Sequence, residues 1–299
     1  MFRIFLCNMF IENYYFYINR YVNKNMTLKR CIRDEFYTLY DNIEKIYKSG
    51  YMKPEVFKDK IIYCNCDDYR WSNYVKFWKN NFEYFNIKKL IATNYDVGDG
   101  AYIYTYDGKN GTIEQGREDG SFEHYDDFIN DDTIVVTNPP FSKSRDYFNF
   151  LKNNDAKFYV HSSIVNTIKF WNDLNDIYFL FSGEYCWYEI DSYKKYVAAS
   201  GVVTNVVFDK TASKVKLNKT FDEVKHDFYY EDDFYEGDKW KGKILNVDWS
   251  NKIPYDYDDF IGVPISFICV QPEIRSNYHI YGVACYGKKF YRLRIKKIK

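Results

Sequence analysis

Net charge is what this chain lacks first. Across 299 residues, 42 basic side chains offset 42 acidic ones, which excludes a protein that grips polyanions by bulk charge and leaves only local basic patches for that purpose. Histidine is scarce: His124, His161, His226 and His279 are the only four, and none pairs at metal-ligand spacing. Cysteine is neither dense nor evenly paired. Cys7, Cys31, Cys64, Cys66, Cys186, Cys269 and Cys285 are odd in number and widely scattered, which argues against a disulfide framework and for free thiols in a reducing cytosol. The C-x-C of Cys64 and Cys66 has no second Cys or His cluster to complete a site, so no metal is expected. A long apolar run is also missing. Asn8, Glu12 and Asn13 interrupt the N-terminal stretch and no small-residue cleavage site follows it, whereas a bilayer span needs about 20 mostly apolar residues. The expectation is a cytoplasmic protein with no membrane partner. Alanine is rare, while 33 Tyr and 25 Phe are present. An AT-rich coding genome gives that bias by itself, so the aromatic excess is not read as function. Hydrophobic residues make up 46%, enough to bury a sizeable core.

What is present is an alternation of two kinds of segment. Residues 34–49 carry apolar side chains at helical spacing (Tyr37, Tyr40, Ile43, Ile46, Tyr47) and end at Gly50, which predicts a helix. Residues 60–67 read as a buried strand ending in acid, and 72–85 as a helix capped by Ser72. A second apolar run at 88–96 is followed by a glycine-rich stretch with a hairpin at 101–116. Residues 132–141, DTIVVTNPPF, form the clearest strand: a β-branched run stopped by paired prolines. A helix at 142–153 and a buried strand at 156–165 follow. Strands alternating with helices in this way predict an α/β sheet of mainly parallel strands, whose ligands sit beyond the carboxyl ends of the strands. Two of those ends are chemically unusual: CNCDD at 64–68 and TNPPF at 137–141. No internal repeat or long linker is apparent.

Asn138-Pro139-Pro140-Phe141 carries the chemistry. Asn/Asp-Pro-Pro-aromatic directly after an apolar strand is the signature of methyltransferases that act on planar amino groups. The lone pair of such a nitrogen is delocalised, so the group is a poor nucleophile. The Asn138 side-chain oxygen and the Pro139 carbonyl can accept both of its N–H hydrogens, localise the lone pair and aim it at a sulfonium methyl. Two prolines keep the carbonyl presented, and Phe141 offers a stacking face for a flipped base. The leaving group is a neutral thioether, so catalysis rests on positioning and polarisation without a metal. The bland alternative is a proline turn that merely ends a buried strand.

The chain resembles the EcoRI-type adenine-specific DNA methyltransferases over about residues 30–285. Asp34-Glu35-Phe36-Tyr37-Thr38 is similar to that family's N-terminal cofactor motif. The run IYCNCDDYRWSNYVKFWKNNF resembles its first strand and loop, through Cys64, Asn65, Cys66, Asp67, Asp68, Ser72, Asn73 and Phe77. KKLIATNYD, DTIVVTNPPFS, GVVTN and IPYDYDDFIGVPISF resemble later landmarks in the family's order. The resemblance implies a Rossmann-like class I methyltransferase sheet with helices on both faces, plus a C-terminal target-recognition region. It implies transfer of methyl from S-adenosylmethionine to the 6-amino group of adenine in double-stranded DNA, in a restriction-modification or phage/host modification context. Asn138, Pro139, Pro140 and Phe141 map onto catalysis. Asp34, Phe36, Tyr37, Thr38, Cys64, Asn65, Asp67, Asp68, Asn94, Tyr95, Asp119, Ser121 and Phe122 map onto the cofactor site. The expected divisions are 1–29 as an extension, 30–185 as the cofactor-binding and catalytic core, and 186–299 as remaining core strands and target recognition. The first loop has no Gly-x-Gly, as in the family, and one departure stands out: Val202-Val203 stand where the family usually has Trp.

The same tetrapeptide serves enzymes that methylate RNA bases or a glutamine amide, and a non-catalytic DNA-binding protein could keep the fold. A DNA enzyme of zero net charge must concentrate its cations somewhere. The candidates are Lys210, Lys214 and Lys216 in one run and Arg292 and Arg294 in another. Alternation of those arginines with Tyr291, Leu293 and Ile295 also predicts an edge strand with a solvated face. A monomer is plausible from the sequence.

Overall fold

The computed structural model describes residues 37–48, 52–96, 98, 100–163, 167–168, 171–173, 177–181, 186–190, 194–198, 200–206, 215–225, 229–230, 244–286 and 290–298. The expected extension at 1–29 lies outside them. The chain divides into two compact units, Ile32–Thr167 with Phe179–Thr211, and Ile168–Tyr178 with Ala212–Lys299 and Met1–Cys31.

The first unit opens with β1 (Tyr37–Thr38) and α1 (Tyr40–Lys48), followed by β2 (Ile61–Cys64), α2 (Asn73–Asn80) and β3 (Lys89–Thr93). A hairpin of β4 (Tyr102–Tyr106) and β5 (Gly111–Gln115) precedes β6 (Thr133–Thr137), α3 (Ser144–Asn153) and β7 (Lys157–Ser163). Then come β8 (Tyr178–Phe181), β9 (Cys186–Ile190), β10 (Lys194–Ala198) and β11 (Ser200–Thr204). Among the described residues these form an eight-stranded sheet of order β5-β4-β3-β2-β6-β7-β11-β8 and a small sheet β1-β9-β10. The α/β expectation holds, but only the centre of the large sheet is parallel: β3-β2-β6-β7 run together, while the β4–β5 hairpin and β11 are antiparallel. The reason is connectivity. A helix crosses between parallel neighbours, whereas a tight turn at 107–110 leaves β5 no choice but to reverse.

Covered parallel strands must be apolar throughout, and all five residues of β6 are buried. Phe158 and Tyr159 are consecutive on β7 and so point to opposite faces. Phe158 meets Phe148 of α3 at 5.8 Å between ring centroids. Tyr159 meets Phe57 at 5.1 Å, and Phe57 in turn packs on Trp78 of α2 and Tyr47 of α1. Helices therefore cover both faces of the sheet. The helix predicted from 34 begins only at Tyr40. Tyr37 and Thr38 pair instead with Glu189 and Tyr188 of β9, a tertiary partner that local periodicity does not reveal. Ser72 caps α2 as expected, accepting from the backbone N–H of Tyr74 and Val75, though α2 ends at Asn80 and the chain continues to 86 as turns.

The second unit contains β12 (Tyr229–Tyr230), β13 (Ile244–Asn246), β14 (Ile261–Pro264), β15 (Tyr278–Tyr286) and β16 (Phe290–Lys297) in the order β12-β13-β14-β16-β15. Ile244, Leu245, Ile261, Val263, Leu293 and Ile295 form its core. The edge-strand expectation for 291–295 is corrected here: β16 is internal, paired with β14 on one side and β15 on the other. No helix of the described residues is long and apolar enough to cross a membrane.

Candidate active site

The chain leaves β2 for β3 on one side and later returns to β6 on the other. That reversal of strand order is a topological switch point, where the loops after neighbouring parallel strands part and leave a crevice. An open cleft lies there, lined by Thr38, Cys66, Asp67, Trp71, Ser72, Asn73, Tyr74, Asn138, Pro139 and Pro140. The two unusual strand ends thus meet, although about seventy residues separate them in sequence.

The Asn138-Pro139-Pro140 turn forms one wall. Lys143 N–H donates to the Pro140 carbonyl at 3.1 Å, which closes the turn, while the Pro139 carbonyl has no partner among the described residues. This is the carbonyl the motif requires to be available. The side chain of Phe141 lies outside the described residues, as do Asp34, Phe36 and the side chain of Tyr37. Thr38 is described and faces the site. Asn73 Nδ2 donates to its backbone oxygen at 2.9 Å and so ties β1 to the start of α2. The Thr38 hydroxyl is buried with no hydrogen-bond partner among the described residues, an unmet polar group in the wall of a cleft.

Asp67 and Asp68 have different surroundings although they are adjacent. Asp67 accepts from Ser72 Oγ at 2.6 Å and from the Thr137 hydroxyl. Asp68 faces Arg70, receiving Nε at 2.9 and 3.1 Å, Nη2 at 2.5 Å and the Arg70 backbone N–H at 2.9 Å. Only Asp67 lines the cleft. Neither is the free, solvated carboxylate that the sequence left open.

Other expected cofactor residues are placed differently. Cys64 is fully buried within the sheet, where burial, and then the charges of Asp67 and Cys66, hold its thiol well above the usual range. It is inert as a nucleophile. Asn65 is buried and accepts from Tyr147 Oη at 2.5 Å, while its Nδ2 finds no partner. Asn94 braces its own loop, accepting from Tyr102 N–H at 3.0 Å and donating to the carbonyls of Tyr95 and Gly100. Gly120 packs so closely there that an added Cβ would sit 2.1 Å from the Asn94 carbonyl oxygen. Tyr95 is exposed. Asp119 accepts from Ser121 N–H at 2.9 Å, and Phe122 packs edge-on against Tyr147. None of these lines the cleft. The residues that do line it and were not expected in the site are Cys66, Trp71, Ser72, Asn73 and Tyr74. Thr137, just behind the turn, was also missed. A hydroxyl directly after the aliphatic run Ile134–Val136 of a buried strand was the available signal.

Of the cation candidates, Lys210 and Lys214 lie outside the described residues. Lys216 is exposed and makes no ion pair among them. Arg292 is not a surface residue: it is buried, donates from Nε to Asn246 Oδ1 at 3.0 Å and faces Asp248 at 3.6 Å. Arg294 is half-buried, with its guanidinium over the Phe260 ring. No cluster of potential metal ligands exists among the described residues.

A Rossmann-like sheet with an Asn-Pro-Pro turn at its switch point defines a class I amino-methyltransferase. The chain belongs to the family described as adenine-specific methyltransferase EcoRI, whose model matches residues 24–118 and 105–276. It is an enzyme of that adenine-specific class. It is 28% identical over 281 residues to the type II methyltransferase M.EcoRI of Escherichia coli, covering 80% of this chain and 83% of that protein. It is 26% identical to the type II methyltransferase M.MpnI of Mycoplasma pneumoniae, covering 82% of each, and similarly to M.MgeORF184P of Mycoplasma genitalium. No solved structure matches the chain.

Proposed function

We propose that this protein transfers a methyl group from S-adenosylmethionine to the 6-amino group of adenine in duplex DNA, in the cytoplasm, as the modification enzyme of a restriction-modification system. The carrying observation is the cleft itself, which Asn138, Pro139 and Thr38 line together, with no partner among the described residues for the Pro139 carbonyl or for the buried Thr38 hydroxyl. The donor fits these residues. The buried Thr38 hydroxyl in the cleft wall can satisfy one of its polar atoms. When bound, the donor supplies an electrophilic methyl on sulfur and departs as a neutral thioether.

The chain's own residues do the rest. Asn138 Oδ1 and the Pro139 carbonyl accept the two N–H groups of the target amine, turning the nitrogen lone pair out of the ring plane. As the nitrogen bonds to carbon it gains positive charge, and the same two acceptors stabilise that charge before a proton leaves for solvent. The prolines hold the acceptors rigid, so no reorganisation is needed during the step.

Support from relatives is the shared name: M.EcoRI and M.MpnI are type II methyltransferases. The test is incubation of the purified protein with duplex DNA and isotopically labelled donor, followed by digestion to nucleosides. Label in 6-methyladenine is the expected result. Label in RNA or a protein amide, or none in any substrate, would remove the reading.

A further inference from the structure

The parallel ladder that holds the catalytic strand stops short of the catalytic turn on one side. β2 pairs with β6 at Ile61↔Thr133, Ile62↔Ile134 and Tyr63↔Val135, and no further. On its other side β6 stays paired with β7 as far as Thr137↔Val160. The last two residues of β6 are therefore held by backbone rungs from one neighbour only. A strand end secured on one side is free to pivot, and Asn138 is the next residue.

The missing hold is supplied by a side chain. Asp67, three residues beyond the end of β2, sends its carboxylate across to the Thr137 hydroxyl while its other oxygen accepts from Ser72 Oγ at 2.6 Å. Ser72 in turn accepts the N–H groups of Tyr74 at 3.1 Å and Val75 at 3.4 Å as the cap of α2. Asp67 is anchored by its own backbone, since its N–H donates to the Thr93 carbonyl of β3 at 3.0 Å. Each hydroxyl proton points toward the carboxylate, so the direction of the chain is fixed: Tyr74 N–H to Ser72, Ser72 O–H to Asp67, Thr137 O–H to Asp67. Thr137 is fully buried and Asp67 and Ser72 nearly so, which makes such charge-assisted bonds short and stiff.

We propose that Thr137 is a positioning residue for the transfer step, acting through Asp67 and Ser72 to fix the angle at which Asn138 meets the target amine. This rests on the reading of Asn138 given above. Thr137 does not line the cleft, so its effect falls on turnover and leaves ligand affinity alone. A misplacement of about 1 Å at a reacting group costs on the order of a hundredfold in rate.

The experiment compares wild type with Thr137→Val, which keeps the shape and deletes the hydroxyl, and with Thr137→Ser, which keeps the hydroxyl. Expected for Thr137→Val is a fall in kcat of at least tenfold, with KM for duplex DNA and Kd for S-adenosylmethionine within twofold of wild type. Thr137→Ser restores kcat to within about threefold. A Thr137→Val enzyme with wild-type kcat overturns the proposal. So does a loss of donor affinity as large as the loss of kcat, which would assign the network to donor binding. If Thr137→Val fails to fold, Thr137→Ala is read the same way, since it removes atoms without crowding the carboxylate. Failure of the underlying function is distinct, because wild type itself would then leave DNA unmethylated.

Discussion

The cleft of the first unit and the surface of the second use charge in opposite ways. In the first, the cleft holds a buried carboxylate, Asp67, bonded to two neutral hydroxyls, and its neighbour Asp68 is locked to Arg70. In the second, the basic side chains meet acidic ones near the surface: Lys219 with Glu223 at 3.0 Å, Lys225 with Asp222 at 2.9 Å, Lys296 with Asp259 at 3.4 Å and Lys297 with Asp258 at 4.0 Å. A buried carboxylate cannot exchange partners without leaving a hydroxyl unsatisfied, so it fixes geometry. An exposed pair is worth about 0–1 kcal/mol and is screened by salt, so it can trade its carboxylate for a phosphate. The charges at the cleft shape a site, and the second unit's surface pairs are available for re-pairing.

The largest effect is expected at the wall of the cleft. Asn138→Ala should lower kcat by about 10²–10³, the usual consequence of removing one placed hydrogen-bonding group, while donor affinity stays within tenfold. Near wild-type turnover would sink the reading of the first unit as catalytic.

Next is the buried interior. Burial alone lowers the His161 pKa to about 3, so the folded protein keeps this ring neutral where the unfolded chain takes up a proton. The stability it contributes is fully present above the unfolded value near 6.5 and is lost as pH falls from 6.5 toward 3, by at most about 4–5 kcal/mol. His161→Gln should flatten that segment of the stability curve, measured by urea unfolding at several pH values. An unchanged slope would show that the ring is hydrated in solution.

A smaller effect follows from Asp68→Asn. Because Arg70 is about one-third exposed, the pair is discounted to roughly 1 kcal/mol, a drop of a few degrees in Tm. Equal damage to kcat from Asp68→Asn and Thr137→Val would erase the distinction between the two aspartates.

Smallest is the surface of the second unit. Lys297→Gln should change stability by less than about 0.5 kcal/mol. Lys216→Gln, which breaks no ion pair among the described residues, should reduce the salt slope of DNA binding by about 0.9 if this run meets a phosphate. The comparison sharpens if Lys216→Gln lowers the slope more than Lys297→Gln does, and breaks if neither changes it.

Legibility followed the range of the forces involved. The β-branched run at 133–136 and the prolines after it announce a buried strand and its stop, because both act within a few residues. Ser72 was readable as a cap for the same reason. Tyr37 and Thr38 were not readable as strand, since the partner that makes them so is β9, about 150 residues away. Arg292 looked solvated because alternation with Leu293 and Ile295 marks a half-exposed strand. Asn246 and Asp248, brought alongside by the sheet, receive its guanidinium and let it be buried. Of the cofactor residues suggested by family resemblance, Thr38 and Asp67 reach the cleft, whereas Asn94 spends its amide on its own loop.

The sequence alone determined the alternation of strand and helix, the chemistry of Asn138-Pro139-Pro140 and the expectation that ligands gather at the carboxyl ends of the strands. These depend on periodicity, turn chemistry and the delocalised lone pair of an amine, all of which are written in short segments. Tertiary structure alone decided that the ends of β2 and β6 share one cleft, that Asp67 lines it and Asp68 does not, and that Thr137 reaches a carboxylate across the strand gap. Those are choices among partners distant in the chain, and they are made by strand order and by the need of every buried polar group for a hydrogen bond.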